Sequence, residues 1–94
     1  MRDRGAKILQ HYGKSKQKLK AVEELTELSE KIVKDVNKGE CDGISEEVAD
    51  VYIMLAQLEI IYDIQPVVLR NIIKEKLERQ EKRMARESIT HRLG

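Results

Sequence analysis

The sequence has no tryptophan and no phenylalanine, and its only aromatic residues are Tyr12, Tyr52 and Tyr62. Few rings are therefore on hand to stack a flat ligand. Tyr52 and Tyr62 lie in an apolar segment and read as core or interface residues whose hydroxyls seek partners. Tyr12, next to His11, reads as a surface or interface contact, with base stacking as the alternative. Cysteine is equally scarce. The single Cys41 excludes an intramolecular disulfide and a multi-cysteine zinc site, and suits a reducing compartment. Its neighbours Glu40 and Asp42 raise a thiol pKa, which argues against a nucleophile. The one proline, Pro66, leaves no proline-rich linker, and no repeat or low-complexity segment is visible.

Neither sign of charge dominates. Eighteen basic and 17 acidic residues give a formal net charge of +1, which excludes the broad basic field of a nucleic-acid binder. Long hydrophobic runs are missing as well. Asp50, Gln57, Glu59 and Asp63 interrupt the best candidate before it reaches the ~18 apolar residues of a membrane span. The first ten residues, MRDRGAKILQ, lack an apolar signal core. A cytoplasmic location is the expectation.

Charge and periodicity are what the sequence does have. Charged residues make up 37% of the 94 and hydrophobic ones 40%, the balance of a helical domain with charged outer faces. The expected fold is all-α: an antiparallel helical bundle of four helices in one domain, residues 1–94. A short weak helix is expected over 3–12. A long amphipathic one over 15–38 carries Leu25, Leu28, Ile32 and Val36 on one stripe. Asn37 and Gly39 end it. A third helix over 45–62 has Ser45 as N-cap, with Glu46 and Glu47 favourable to the helix dipole. Pro66 opens a fourth that runs to about Arg86, leaving a fraying tail over 87–94. The third helix is apolar on all sides, so it should be surrounded by protein. A chain this short covers it poorly, which predicts a core completed by a homodimer or a dimer of dimers.

The acidic residues break this pattern usefully. At roughly 100° per residue, Glu24 and Glu27 lie about 60° apart on the second helix, and Glu47 and Asp50 are spaced alike on the third. Asp50 shares its face with Met54, Gln57 and Ile61, which points it inward. Two antiparallel helices would then face four carboxylates at one another, and such groups repel unless a cation intervenes. Magnesium is the natural choice for hard oxygen ligands, with manganese as a substitute. On the fourth helix, Lys76, Gln80 and Arg83 fall on the apolar face of Leu69, Ile72, Ile73, Leu77 and Met84. Cations there want an anionic partner, either the carboxylates or a polyphosphate. Each feature has a plainer reading. Glu and Lys are strong helix formers, Glu47 could merely serve the dipole, and Lys76 and Arg83 could snorkel.

The segments EELTEL at 23–28 and EEVADV at 46–51, with 19 residues between Glu27 and Glu47, resemble the E-x-x-E … E-x-x-D pattern of the MazG-like all-α nucleoside triphosphate pyrophosphohydrolases. KLERQEKR at 76–83 is similar to that superfamily's K-x-x-x-N-x-x-R segment, with Gln80 where Asn is usual. The resemblance spans residues 16–84. It implies magnesium-dependent hydrolysis of a (deoxy)nucleoside triphosphate to monophosphate and pyrophosphate. Glu24, Glu27, Glu47 and Asp50 would be metal ligands, and one of them, or a neighbouring acid such as Glu23, would orient or deprotonate the attacking water. Lys76 and Arg83 would hold phosphate oxygens, and Gln80 would touch sugar or phosphate. A phosphoribosyl-ATP pyrophosphohydrolase and a non-enzymatic oligomerisation module are the competing readings.

Overall fold

A computed structural model describes the backbone of residues 1–93 and the side chains of residues 1–89. Four α-helices account for nearly all of it: α1 (Arg2–Tyr12), α2 (Lys14–Lys38), α3 (Ile44–Ile61) and α4 (Pro66–Leu93). There is no strand among the described residues. By its contacts the chain divides into two units, Met1–Asp63 and 64–94.

In the first unit, α1 and α2 are joined by Gly13 alone. At the other end of α2, Gly39 takes a left-handed conformation (φ 69°) and its N–H donates to Asp35 O at 2.8 Å, closing the helix as expected. The start of α3 departs from expectation. Gly43, also left-handed (φ 77°), occupies the N-cap position, and Ser45 lies inside the first turn with no side-chain cap bond. Glycine adopts that backbone without the Cβ clash a serine would meet, so the helix begins earlier.

The two long helices of this unit run antiparallel. Gln17 on α2 bonds Gln57 on α3, Glu24 meets Glu47 and Asp50, and Lys31 lies against Gly43. Small residues permit this approach. Ala21 and Ala56 are buried, and a Cβ on Gly5 would lie 3.5 Å from Gln57 Cγ and 3.7 Å from Ala56 Cβ. Arg2 reaches Glu59 at 3.6 Å and ties the start of α1 to α3. The buried apolar set is thin: Leu9, Ala21, Val51, Met54 and Ala56.

The packed face of α2 corrects the sequence expectation. Gln17, Ala21, Glu24, Leu28 and Lys31 form the buried and half-buried stripe, spaced four, three, four and three residues apart. Leu25, Ile32 and Val36 are exposed. Of the expected apolar stripe Leu28 alone lies on the packed side, and α3 otherwise meets the polar and small residues Gln17, Ala21 and Glu24. Asp50 is likewise exposed rather than interior, although its carboxylate still joins the acidic group.

The second unit is α4. Its helix runs on to Leu93, past the expected end near Arg86, because no helix breaker follows Pro66 before Gly94. Gly94 lies outside the described residues. Ile72, Ile73, Leu77, Met84 and Ile89 on this helix are exposed. No single helix among the described residues is long and apolar enough to cross a membrane.

Candidate metal centre and adjoining cleft

The antiparallel register of α2 and α3 brings Glu24 of α2 against the first two turns of α3. One carboxylate oxygen each from Glu24, Glu47 and Asp50 lie within 4.8 Å of one another. The same holds for Glu23, Glu24 and Glu27 along α2. Glu24 belongs to both groups and is the most enclosed of the acids, with 6% of its surface exposed. Glu27 and Glu47 are half-buried, and Glu23 and Asp50 are exposed.

Enclosure without partners is what distinguishes this cluster from an acidic surface. Glu24 Oε1 accepts a charge-assisted contact from Lys20 Nζ at 3.1 Å. Glu24 Oε2 and Glu47 Oε2 are both buried with no hydrogen-bond partner among the described residues. A buried carboxylate oxygen left unpaired is costly, and it calls for an explanation such as a bound water, an ion or a catalytic role.

The protonation pattern shows the same tension. The Lys20 ammonium holds the Glu24 carboxyl below its ordinary range, against the opposing effect of burial. Glu47 is pushed up, first by burial, then by the neighbouring Glu24 carboxyl and by repulsion from Glu27 and Asp50. One acid is therefore favoured in its charged form by a lysine, while its neighbour gives up its proton less readily than usual. A divalent cation would relieve both strains, since hard carboxylate oxygens in this number suit magnesium or manganese.

Beside the cluster lies a cleft of about 580 Å³, walled by α1, α2 and α3. That size is typical of a small-molecule site. Glu23, Glu24 and Asp50 line it together with Lys16 and Lys20. Tyr12, Ile8, Ile53 and Met54 supply apolar surface, and Gln17 and Gln57 are the polar residues from its packed walls. Lys16 Nζ sits 5.0 Å from the centre of the Tyr12 ring, and His11 packs edge-on against that ring at 4.6 Å. Gln17 Nε2 donates to Gln57 Oε1 at 2.8 Å, and Gln57 has no exposed surface. Carboxylates, ammonium groups and an aromatic ring thus share one concavity.

The phosphate contacts expected from the sequence, Lys76, Gln80 and Arg83, are all exposed on α4, in the second unit. Arg83 shares a hollow with Arg79, Lys82 and Arg86. Cys41 is exposed in the loop before α3. Sequence reasoning missed Lys20, Gln17 and the lining role of Gln57. Lys20 precedes Glu24 by one helical turn, but that spacing is commonplace in a lysine- and glutamate-rich helix. A glutamine buried on the same helix face as Asp50 was the more telling signal.

Compared with protein-family models, curated proteins and solved structures, the chain matches none.

Proposed function

We propose that the chain is a magnesium-dependent nucleoside triphosphate pyrophosphohydrolase of the cytoplasm, releasing pyrophosphate and a nucleoside monophosphate. One observation carries the reading. The carboxylates of Glu24, Glu47 and Asp50 converge beside a nucleotide-sized cleft lined by two lysines and a tyrosine, and Glu24 and Glu47 each keep one buried oxygen without a partner among the described residues. The motif resemblance of residues 16–84 supports it independently.

Glu24, Glu27, Glu47 and Asp50 would hold the ion. Bound there, magnesium supplies charge neutralisation for the phosphate oxygens, which is the main requirement of phosphoryl transfer. Glu23, exposed at the edge of the cluster, orients the attacking water and receives its proton. The water oxygen bonds to the α-phosphorus, and the bond from that phosphorus to the bridging oxygen breaks, so pyrophosphate leaves. By the resemblance, Lys76 and Arg83 would hold phosphate oxygens and Gln80 would touch sugar or phosphate. Tyr12 offers its ring to the base.

The test is pyrophosphate release over a panel of canonical and modified nucleoside triphosphates, with phosphoribosyl-ATP included, in the presence and absence of magnesium. Glu47→Gln and Asp50→Asn should abolish turnover while circular dichroism stays unchanged. Turnover at the wild-type rate in both variants removes the site assignment.

The exposed apolar side chains favour a second reading, a helical homo-oligomerisation module. Val22, Leu25, Ile32 and Val36 of α2 and Val48, Tyr52 and Leu55 of α3 form uncovered stripes. The two readings coexist if the enzyme is a homodimer or a dimer of dimers. Failure of every triphosphate in the panel would leave the module alone.

A further inference from the structure

Lys20 occupies an unusual place for a helix-surface lysine. Its Nζ lies 3.1 Å from Glu24 Oε1 and 3.6 Å from Glu23 Oε1, so it bridges two acids of the proposed metal centre. Its side chain is about half exposed and lines the cleft. Ordinary (i, i+4) pairs expose both partners to water. Here the acid is enclosed and its other oxygen has no partner. Among the described residues, the Lys20 ammonium is the positive charge that pairs with the cluster's most buried carboxylate. Lys16, the other cleft lysine, lies over the Tyr12 ring instead.

A divalent cation taken up by the Glu24 carboxylate would share that group with the Lys20 ammonium on Oε1, and the two positive charges repel. An ion entering the cluster therefore weakens the hold of Glu24 on Lys20. The lysine stem is flexible, and its head group already lines the cleft where a polyphosphate would lie. We propose that Lys20 is a displaceable counter-ion: it neutralises Glu24 before metal binds, then transfers its ammonium to the phosphate chain of the incoming nucleotide. This inference rests on the function proposed above and assigns it a phosphate-binding residue on the same helix as the metal ligands. Metal and nucleotide binding become coupled, because the ion frees the very group that grips the anion.

The coupling gives one substitution two effects of opposite sign. In Lys20→Met, Mn2+ titrated alone by calorimetry should bind roughly two- to fivefold more tightly than in wild type, since no ammonium competes. The α,β-methylene analogue of a deoxynucleoside triphosphate, titrated at saturating Mg2+, should bind about tenfold more weakly or worse. Lys20→Arg keeps the charge and should leave Mn2+ affinity near the wild-type value. If wild type binds Mn2+ and Lys20→Met binds it no more tightly, the counter-ion role is overturned while the metal centre stands. Unchanged analogue affinity in Lys20→Met overturns the transfer to phosphate. If neither protein binds Mn2+, the metal centre and the inference fall together.

Discussion

Replacing Gln57 by leucine tests how α2 and α3 find their register. Gln57 is 0% exposed and Gln17 5%, and they share one hydrogen bond at 2.8 Å. The other contact of Gln57, from its Nε2 to Met54 Sδ at 3.9 Å, is weak. Leucine has similar bulk, so the cavity created is small. What it removes is the acceptor for Gln17, leaving a nearly buried amide donor unpaired. That loss costs about 1–3 kcal/mol. At about 4–8 °C per kcal/mol for a domain of this size, Tm should fall by roughly 5–20 °C. Gln17→Leu should cost a similar amount by orphaning Gln57. The double variant is the decisive one, because two apolar groups of matching shape leave nothing unpaired. Its stability should return to within about 1 kcal/mol of wild type. The assay is urea denaturation followed by circular dichroism, with the m-value checked for constancy. Costs that simply add across the two sites would refute the claim that this bond, rather than general packing, couples the helices. The same bond bears on function. Gln17 lies two turns before Glu24 on one packed stripe, so slippage here would separate Glu24 from Glu47.

Three other outcomes are expected. Gly5→Ala should raise stability by up to about 1 kcal/mol through helix propensity, read as a higher Tm. Its Cβ meets Gln57 and Ala56 at ordinary contact distance, whereas the branches of Gly5→Val would collide and lower Tm. Glu47→Gln should raise the Tm of the metal-free protein and erase any rise caused by Mn2+, as thermal melts with and without the ion will show. The third concerns pH. The raised pKa of Glu47 means that the fold holds a proton the unfolded chain has lost, from pH 4.5 up to the folded value. Its contribution to metal-free stability therefore falls as pH rises through that window, while the lowered pKa of Glu24 contributes stability that is lost on acidification. Because the ion requires ionised Glu47, Mn2+ affinity should rise with pH there. Calorimetry in buffers of different ionisation heat should detect a proton released on binding; its absence would contradict this assignment.

Helix identity was legible because glycine and proline stand at the breaks. Gly13, Gly39 and Pro66 bound the elements much as their backbone preferences require. The packed face of α2 was not legible. Periodicity directs attention to Leu25, Ile32 and Val36, yet those residues are exposed and α3 meets Gln17, Ala21 and Glu24 instead. A helix carrying two usable stripes does not disclose which one its own chain will cover. The acids could be read because E-x-x-E and E-x-x-D place pairs on one face, and the register of two helices then brings Glu24 to Glu47 and Asp50. Lys20 was hidden by its commonness among 18 basic residues, and only its distance to Glu24 singles it out.

Glu24 is the vertex common to both acidic triads, one built along α2 and the other spanning α2 and α3. Changing it would dismantle the two together, so Glu24 variants cannot report how many ions the protein carries. Glu27→Gln leaves the spanning triad whole, and Asp50→Asn leaves the one within α2. Ion stoichiometry in that pair of variants, set beside wild type, separates a single shared ion from two neighbours that depend on one carboxylate.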